Sequence, residues 1–291
     1  MDKSSVIKKI LVIILFLLLS INIAKNLYEI TMVSSMDNHV YVPILMYHQV
    51  KGTNLGKDVI SPYEFECDLK FLKDNNYNTI TMSQLVDYVY NDVDLPENPI
   101  ILSFDDGYLN TYKNVYPLLK KYNMKIVLSI VGKSTDDFSR VVDTNINYAH
   151  MTWDQIKEVQ ESGLVEIQNH SYNMHKVRNG RYGCSQMLNE SFTDYEQFLM
   201  EDVNQLQDRI YTNTESTPNT FTYPYGKYND NTNLILKELG FKATLSCRFG
   251  VNVIDKDPES LFELKRICRS HNRSVGKLIK EAMETLKYSK D

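Results

Sequence analysis

The sequence predicts an α/β fold in which parallel strands alternate with helices, compatible with a single TIM-like (β/α) barrel. Three observations support this prediction. Short apolar runs alternate with segments of helical periodicity over 41–291, and no repeat, low-complexity tract or linker interrupts that region. Ligand-type side chains stand at the ends of several of the apolar runs. The carboxyl ends of barrel strands meet at one face, so those side chains would share a site.

The first half of the region contains four expected strands. They are a run over 41–47, a short strand over 79–81, the apolar run over 100–105 and a strand over 125–130. Helical spacing predicts helices over 62–75 and 112–122, the second with Pro117 inside it as a kink or boundary. Ser83 is expected to cap a helix that includes Leu85 and Val89.

The second half continues the alternation. Thr152 is expected to cap a helix that ends at Gly163, and a strand follows from Val165. The remaining expected elements are a long amphipathic helix over 193–211, a strand over 220–224, a helix over 230–239, strands over 241–246 and 262–268, and a final helix over 274–287.

Composition excludes some functional classes. Hydrophobic residues make up 43% and charged residues 24% of the chain, as is ordinary for a globular protein. The net charge is −5 and the basic residues are scattered, so no nucleic-acid partner is expected. The four cysteines are widely spaced, which leaves disulfides and buried free thiols both open.

The N-terminus has the pattern of a targeting segment. Lys3, Lys8 and Lys9 precede an uninterrupted apolar run over 10–19. This pattern predicts a signal anchor or signal peptide over 1–24, and the lysines predict that the remainder lies outside the cytoplasm.

The boundaries that follow are also expectations. Because no clear cleavage site follows the apolar run, and Ala24 is only a weak candidate, an uncleaved anchor is favoured over a cleaved signal. A polar stalk is expected over 25–40 and one domain over 41–291. The protein is therefore expected at the cell membrane through its N-terminal helix, or secreted.

Candidate site residues lie where apolar runs end. The run after Pro99 ends in Asp105 and Asp106, and a later one opens into His170 and His175. A buried carboxylate needs a partner or a metal, so a pair of them belongs at a strand end. His48 and the Pro-Tyr-Gly around Tyr225 stand at two further strand ends.

Two imidazoles and one carboxylate suit zinc or a related divalent ion. Such an ion polarises a carbonyl and lowers the pKa of water, while the second carboxylate can act as general base. His48 or His271 could then protonate the leaving group. Taken singly, each motif is an ordinary turn or a structural histidine, and spacing alone does not assign the two aspartates.

The motifs resemble a known family. Residues 103–107 (Ser-Phe-Asp-Asp-Gly), Asn169-His170-Ser171 with His175, and 221–226 (Phe-Thr-Tyr-Pro-Tyr-Gly) are similar in order and spacing to the NodB-like polysaccharide deacetylases, a carbohydrate esterase family. The resemblance covers about residues 41–270. It implies a distorted (β/α) barrel of about seven strands and metal-dependent removal of N-acetyl, sometimes O-acetyl, groups from glycans.

The resemblance also implies roles for individual residues. Asp105 would be the general base, and Asp106, His170 and His175 would hold the metal, with zinc expected ahead of cobalt or nickel. The backbone N–H of Tyr225 would stabilise the oxyanion of the tetrahedral intermediate.

Three departures refine the expectation. Four residues separate His170 from His175, which resembles the branch that acts on exported poly-N-acetylglucosamine; in that branch the acid follows a Met-Tyr pair, so His48 is expected as acid and His271 is the reserve. Thr222 stands where the family usually has an arginine, so the usual orienting partner of the base is expected to be absent. No clear Leu-x-His motif occurs near the C-terminus.

The expected function is N-deacetylation of an extracellular N-acetylglucosamine polymer, either exopolysaccharide or peptidoglycan, by a monomer. An O-acetyl esterase and a non-catalytic glycan-binding barrel are the alternatives. Loops expected over 133–150 and 176–192 carry Tyr148, Tyr182 and Phe192, which could stack on sugar rings.

Overall fold

The structure is a computed structural model that describes residues 39–178 and 180–287. The expected leader over 1–24 lies outside the described residues, as does the expected stalk except for its last two residues. Among the helices of the described ranges, none combines the length and apolar character that a membrane crossing requires.

The described strands and helices alternate as the sequence predicts. The strands are β1 (Val40–Val42), β2 (Ile44–Tyr47), β3 (Gln49–Val50), β4 (Val59–Ile60), β5 (Asn78–Thr79), β6 (Pro99–Asp106), β7 (Ile126–Ile130), β8 (Val165–Asn169), β9 (Val177–Arg178), β10 (Arg181–Tyr182), β11 (Thr220–Thr222), β12 (Ala243–Leu245), β13 (Asn252–Ile254) and β14 (Ile267–Cys268). The helices are α1 (Pro62–Asp74), α2 (Met82–Tyr90), α3 (Tyr116–Tyr122), α4 (Gly132–Arg140), α5 (Trp153–Glu161), α6 (Phe192–Thr214), α7 (Asp230–Glu238) and α8 (Val275–Glu284).

Seven strands form one curled parallel sheet in the order β12-β11-β8-β7-β6-β2-β14, and β5 pairs with β6. The register places the strand ends at one level, because Asp106 pairs with Ile130, Ile130 with Asn169, and Asn169 with Phe221. The predicted distorted (β/α) barrel of about seven strands is confirmed.

A short segment before β14 joins the two ends of this strand order. Leu264 N–H donates to the Thr244 carbonyl, and Ser246 N–H donates to the Leu264 carbonyl, both at 2.9 Å. Since β14 itself pairs with β2, the segment runs beside β12 at one end and continues into the strand at the other. This closure brings the side chain of Arg266 into the barrel.

Alternation along β6 separates the core from the site. Leu102 and Phe104 belong to the main hydrophobic cluster, which also contains Phe65 of α1 and Ile156 of α5. The intervening residues face the barrel interior, where Ser103 accepts a hydrogen bond from a buried arginine. Although β6 is buried on both faces, one face is apolar and belongs to the core, and the other is polar and carries candidate site residues.

Several local expectations need correction. The helix expected to be capped by Ser83 begins at Met82 and is capped by Thr81, whose Oγ1 accepts from Gln84 N–H. The Ser83 N–H instead donates to the Glu166 carboxylate, which also accepts from Met82 N–H. A carboxylate from a neighbouring strand thus stabilises this helix N-terminus, which no local pattern reveals.

Other boundaries follow the sequence more closely. Thr152 caps α5 as expected, with its side chain accepting from Gln155 N–H. Pro117 marks a boundary: a π-helical turn over Thr111–Val115 precedes α3, and the proline lies in the first turn of α3. The prediction of a loop over 133–150 is wrong for its first part, because residues up to Arg140 belong to α4.

Candidate active site

The candidate active site is a cleft of about 270 Å³ at the carboxyl ends of the strands. Its lining includes most of the residues predicted from the sequence: His48, Asp105, Asp106, His170, His175 and Tyr225. His271 does not line it. That histidine contacts Glu64, with Nδ1 at 3.0 Å from Oε2.

β6 delivers both aspartates to the cleft. They are the last two residues of the strand, and both are buried. Asp106 has a φ of 72° and Gly107 one of 76°, so the chain turns sharply as the strand ends. A Cβ at Gly107 would lie 3.1 Å from Ile130 Cγ2, which favours glycine there.

Asp105 is held as a carboxylate by a buried arginine. Arg266 Nη1 donates to Asp105 Oδ1 at 2.7 Å, and the Arg266 Nε–H donates to the Ser246 carbonyl at 2.7 Å. Burial alone would raise the pKa of Asp105, but the neighbouring positive charge, above all that of Arg266, outweighs burial and holds that pKa below its ordinary value. Asp105 is therefore ionised at neutral pH.

The usual orienting arginine is absent as expected, because Thr222 stands in its place. A different guanidinium, that of Arg266, reaches Asp105 from the segment before β14. Local spacing could not reveal this, because Arg266 and Asp105 are 161 positions apart. The only sequence signal was a charged residue inside the strand expected over 262–268, and Glu263 and Lys265 give the same signal.

His170 is oriented by a main-chain carbonyl. Its Nδ1 lies 2.7 Å from the Thr222 carbonyl, which can only accept, so Nδ1 carries the proton and the Nε2 lone pair is free. Burial lowers the pKa of His170 to about 3, and burial also lowers the pKa of His175. Both imidazoles are thus neutral, the form that binds metals.

Asp106 and the two histidines converge. Asp106 Oδ1 lies 3.6 Å from His170 Nε2 and 3.3 Å from His175 Nε2, and one ligand atom from each residue lies within 4.8 Å of the others. Burial raises the pKa of Asp106 to about 6. A bound cation would reverse that effect.

The three residues fit a divalent cation on physical grounds. Asp106 Oδ1 is buried and has no hydrogen-bond partner, a costly state for a carboxylate oxygen. It faces the Nε2 lone pair of His170, so two acceptors point toward the same space. A cation between them would satisfy both, and the donor set of two imidazoles and one carboxylate suits zinc and related ions.

The segment between the two histidines is fixed by α6. The Asp202 carboxylate accepts from Tyr172 N–H at 2.7 Å and from Asn173 N–H at 2.9 Å. Sequence reasoning missed Asp202, because one carboxylate on an amphipathic helix has the same pattern as any polar surface position.

The remaining predicted residues complete the cleft. His48 Nε2 lies 3.8 Å from Asp105 Oδ2, and His48 Nδ1 is buried with no hydrogen-bond partner. Tyr225 has a φ of 57°, and its ring centroid lies 4.3 Å from that of His175. Cys247 also lines the cleft, and all four cysteines are free thiols.

Comparison with known proteins agrees with this geometry. Residues 92–244 match the family model described as polysaccharide deacetylase. The protein YxkH of Bacillus subtilis (strain 168), whose name provisionally assigns it to the polysaccharide deacetylases, is 28% identical over 226 residues, which cover 78% of this chain and 70% of YxkH.

Two further proteins are similar to this chain. The poly-beta-1,6-N-acetyl-D-glucosamine N-deacetylase of Escherichia coli (strain K12) is 25% identical over 70% of this chain, which spans only 33% of that enzyme. The solved structure of a de-N-acetylase from Aggregatibacter actinomycetemcomitans is 26% identical, covers 84% of this chain and 100% of that one, and superposes with a TM-score of 0.71.

Proposed function

This chain belongs to the polysaccharide deacetylase family, and from that membership we propose that it hydrolyses N-acetyl groups of an extracellular N-acetylglucosamine polymer. The observation that carries the proposal is the contrast between two adjacent carboxylates. Asp105 is ionised against Arg266, whereas Asp106 Oδ1 is buried without a partner beside two neutral imidazoles. Such a pair divides the work of proton transfer and cation binding.

Asp106, His170 and His175 would hold the cation, for which zinc is the first choice and cobalt or nickel the alternatives. When bound, a divalent cation supplies Lewis acidity toward water and the acetyl carbonyl. The Thr222 carbonyl and Asp202 fix the positions of the ligands before the cation arrives.

The protein's own groups carry the proton transfers. Asp105 accepts a proton from the water that attacks the acetyl carbonyl carbon. The backbone N–H of Tyr225 stabilises the resulting oxyanion. The carbon–nitrogen bond then breaks, His48 donates a proton to the leaving nitrogen, and the products are acetate and a free amine on the sugar.

The substrate proposal draws on the relatives. The E. coli relative is named for poly-beta-1,6-N-acetyl-D-glucosamine. The four residues between His170 and His175 in this chain support the same substrate class. Peptidoglycan is the second candidate polymer. Deacetylation would convert a neutral glycan into a polycation.

Location is part of the same proposal. The lysines before the apolar run over 10–19 support a single N-terminal anchor with the domain outside the cell, or secretion. We expect a monomer whose partners are the polysaccharide and the membrane. Protease treatment of intact cells should remove the domain; protection of the domain would contradict this location.

Acetate release by the full-length protein tests the reaction. The protein is stripped of metal, reloaded with zinc, cobalt or nickel, and given β-1,6-linked N-acetylglucosamine oligomers, de-O-acetylated peptidoglycan or acetylated xylan. We expect metal-dependent acetate from the first or second substrate. Asp105→Asn should lower turnover by roughly 10²–10⁴-fold while retaining metal. The control is Asp58→Asn, at another carboxylate that lines the cleft, which should keep most of the wild-type turnover.

The alternatives give different results. Acetate from xylan alone would identify an O-acetyl esterase. Stoichiometric metal without acetate from any substrate would favour the non-catalytic glycan-binding barrel.

A further inference from the structure

We propose that Tyr182 forms a subsite beside the catalytic cleft, which binds a neutral N-acetylated sugar next to the unit that is deacetylated. The proposal rests on the proposed function and extends it from a single sugar to a polymer. Tyr182 stands seven positions after His175 in the chain, and it is 42% exposed.

Tyr182 is connected to the metal-ligand set by stacked rings. Its ring centroid lies 4.8 Å from that of Tyr225 with 12° between the planes, and Tyr225 in turn contacts His175. Tyr225 lines the cleft, so the stack leads from the reacting centre to its rim. Tyr225 covers one face of the Tyr182 ring, while 42% of the Tyr182 surface stays exposed.

The strand that carries Tyr182, β10, is fixed in position. Strands β9 and β10 pair antiparallel, with Tyr182 opposite Val177. Gly183 has a φ of 62°, and a Cβ there would lie 2.5 Å from the Pro224 carbonyl oxygen. Backbone therefore packs on backbone at this point, and the aromatic face is preorganised rather than carried on a free loop.

The chemistry of this surface selects a sugar ring. A flat aromatic face packs against the C–H face of a pyranose, and it needs no charge on the ligand. Lys227 Nζ lies 5.6 Å from the centre of the Tyr182 ring, and no carboxylate of the described residues forms an ion pair with it. A cationic glucosamine unit would be repelled there, whereas an N-acetylated unit would not.

Chain-length dependence tests the subsite. Wild-type protein and Tyr182→Ala are compared on β-1,6-linked N-acetylglucosamine oligomers of one to six units by acetate release. We expect KM for the longer oligomers to rise about 10-fold in Tyr182→Ala, with kcat on the monomer unchanged. Tyr182→Phe should retain the wild-type dependence, because the ring rather than the hydroxyl is used.

The matched control is Tyr211→Ala. Tyr211 is 60% exposed and lies on α6, and it is not among the residues that line the cleft. It should behave as wild type. Equal losses on monomer and hexamer in Tyr182→Ala would overturn the subsite, since they would indicate that Tyr182 only supports Tyr225.

Binding provides a readout that does not need turnover. Calorimetric titration of the pentamer into Asp105→Asn should give a dissociation constant about 10-fold tighter than into the double variant with Tyr182→Ala. Equal affinities would contradict the subsite, even if neither protein released acetate. The absence of acetate from wild type would by itself count only against the proposed reaction.

The role of Lys227 is tested with a mixed substrate. Oligomers that already contain glucosamine units should be poorer substrates for wild type than fully acetylated ones of equal length, and Lys227→Gln should reduce that difference. An unchanged difference would show that the charge of Lys227 does not select the neutral unit.

Discussion

The side chain that most distinguishes this site is Arg266. It is buried together with Asp105, and a buried ion pair stabilises only if its remaining hydrogen bonds are satisfied. Arg266 also donates to the Ser246 carbonyl and to Ser103 Oγ. Its planar fork thus fixes both the orientation and the charge of Asp105, the proposed general base.

Arg266→Lys should reduce kcat by about 10²-fold, because a lysine ammonium cannot reproduce the three directions in which the guanidinium donates. The measurement is steady-state acetate release together with the melting temperature. The control is Arg269→Lys, since Arg269 is also buried and binds Asp68 through Nε at 2.7 Å. We expect that control to lose stability but to retain kcat; similar kcat losses in both variants would refute a specific role for Arg266.

The two candidate acids are distinguished by their partners. His48 faces Asp105 across the cleft, whereas His271 is bound to Glu64. His48→Ala should lower kcat by about 10²–10³-fold on N-acetyl substrates, whose amine leaving group needs a proton. His271→Ala should change stability more than kcat. The measurement is the pH–rate profile of each variant. A loss of kcat in His271→Ala, with kcat retained in His48→Ala, would assign the acid to His271.

Among the elements, α6 positions the proposed metal ligands through one carboxylate. Asp202 accepts two backbone N–H bonds from the segment between His170 and His175. Asp202→Asn replaces one accepting oxygen by an amide that cannot accept, so one of these N–H groups loses its partner.

The expected result for Asp202→Asn is a metal affinity about 10-fold weaker, measured by competition with a chelating dye. Asp208→Asn is the control, because Asp208 is an exposed carboxylate on the same helix. If both variants bound zinc as tightly as wild type, the hydrogen bonds of Asp202 to Tyr172 and Asn173 would have no effect on metal binding.

For the whole molecule, acid stability depends on Glu64. Burial would raise its pKa, but hydrogen bonds from Ser61, Asn272 and His271 lower it to about 2, from 4.5. A carboxyl whose pKa is lower in the folded state stabilises the fold above the unfolded pKa, and that contribution is lost as pH falls from 4.5 toward 2.

Glu64→Gln should therefore weaken the fold at pH 7 by about 1–2 kcal/mol, through loss of the capping charge and its hydrogen bonds. The stability difference from wild type should shrink between pH 4.5 and pH 2. Urea denaturation at several pH values measures this difference; a constant difference over that range would contradict the role assigned to Glu64.

The strand ends were predictable because the information there is local. Asp105, Asp106 and the two histidines each follow an apolar run, and parallel strands align such ends. The partners of Arg266 and Asp202 were not predictable, because each lies far along the chain. The start of α2 does carry a local signal, the capping box of Thr81 and Gln84, and the cap predicted at Ser83 lies two positions too late. Helix periodicity identifies a buried face, but it does not identify which polar residue on the opposite face meets a distant loop.

The position of Arg266 late in the chain has a consequence during synthesis on the ribosome. A nascent chain acquires both aspartates and both histidines long before the residues that neutralise Asp105 leave the ribosome. Until that last strand inserts, the barrel seam is open and the buried Asp105 carboxylate lacks its counter-charge. Synthesis itself therefore imposes latency: the base proposed at Asp105 gains its counter-charge only after residue 266 has been made, and chains shortened before this strand should be inactive.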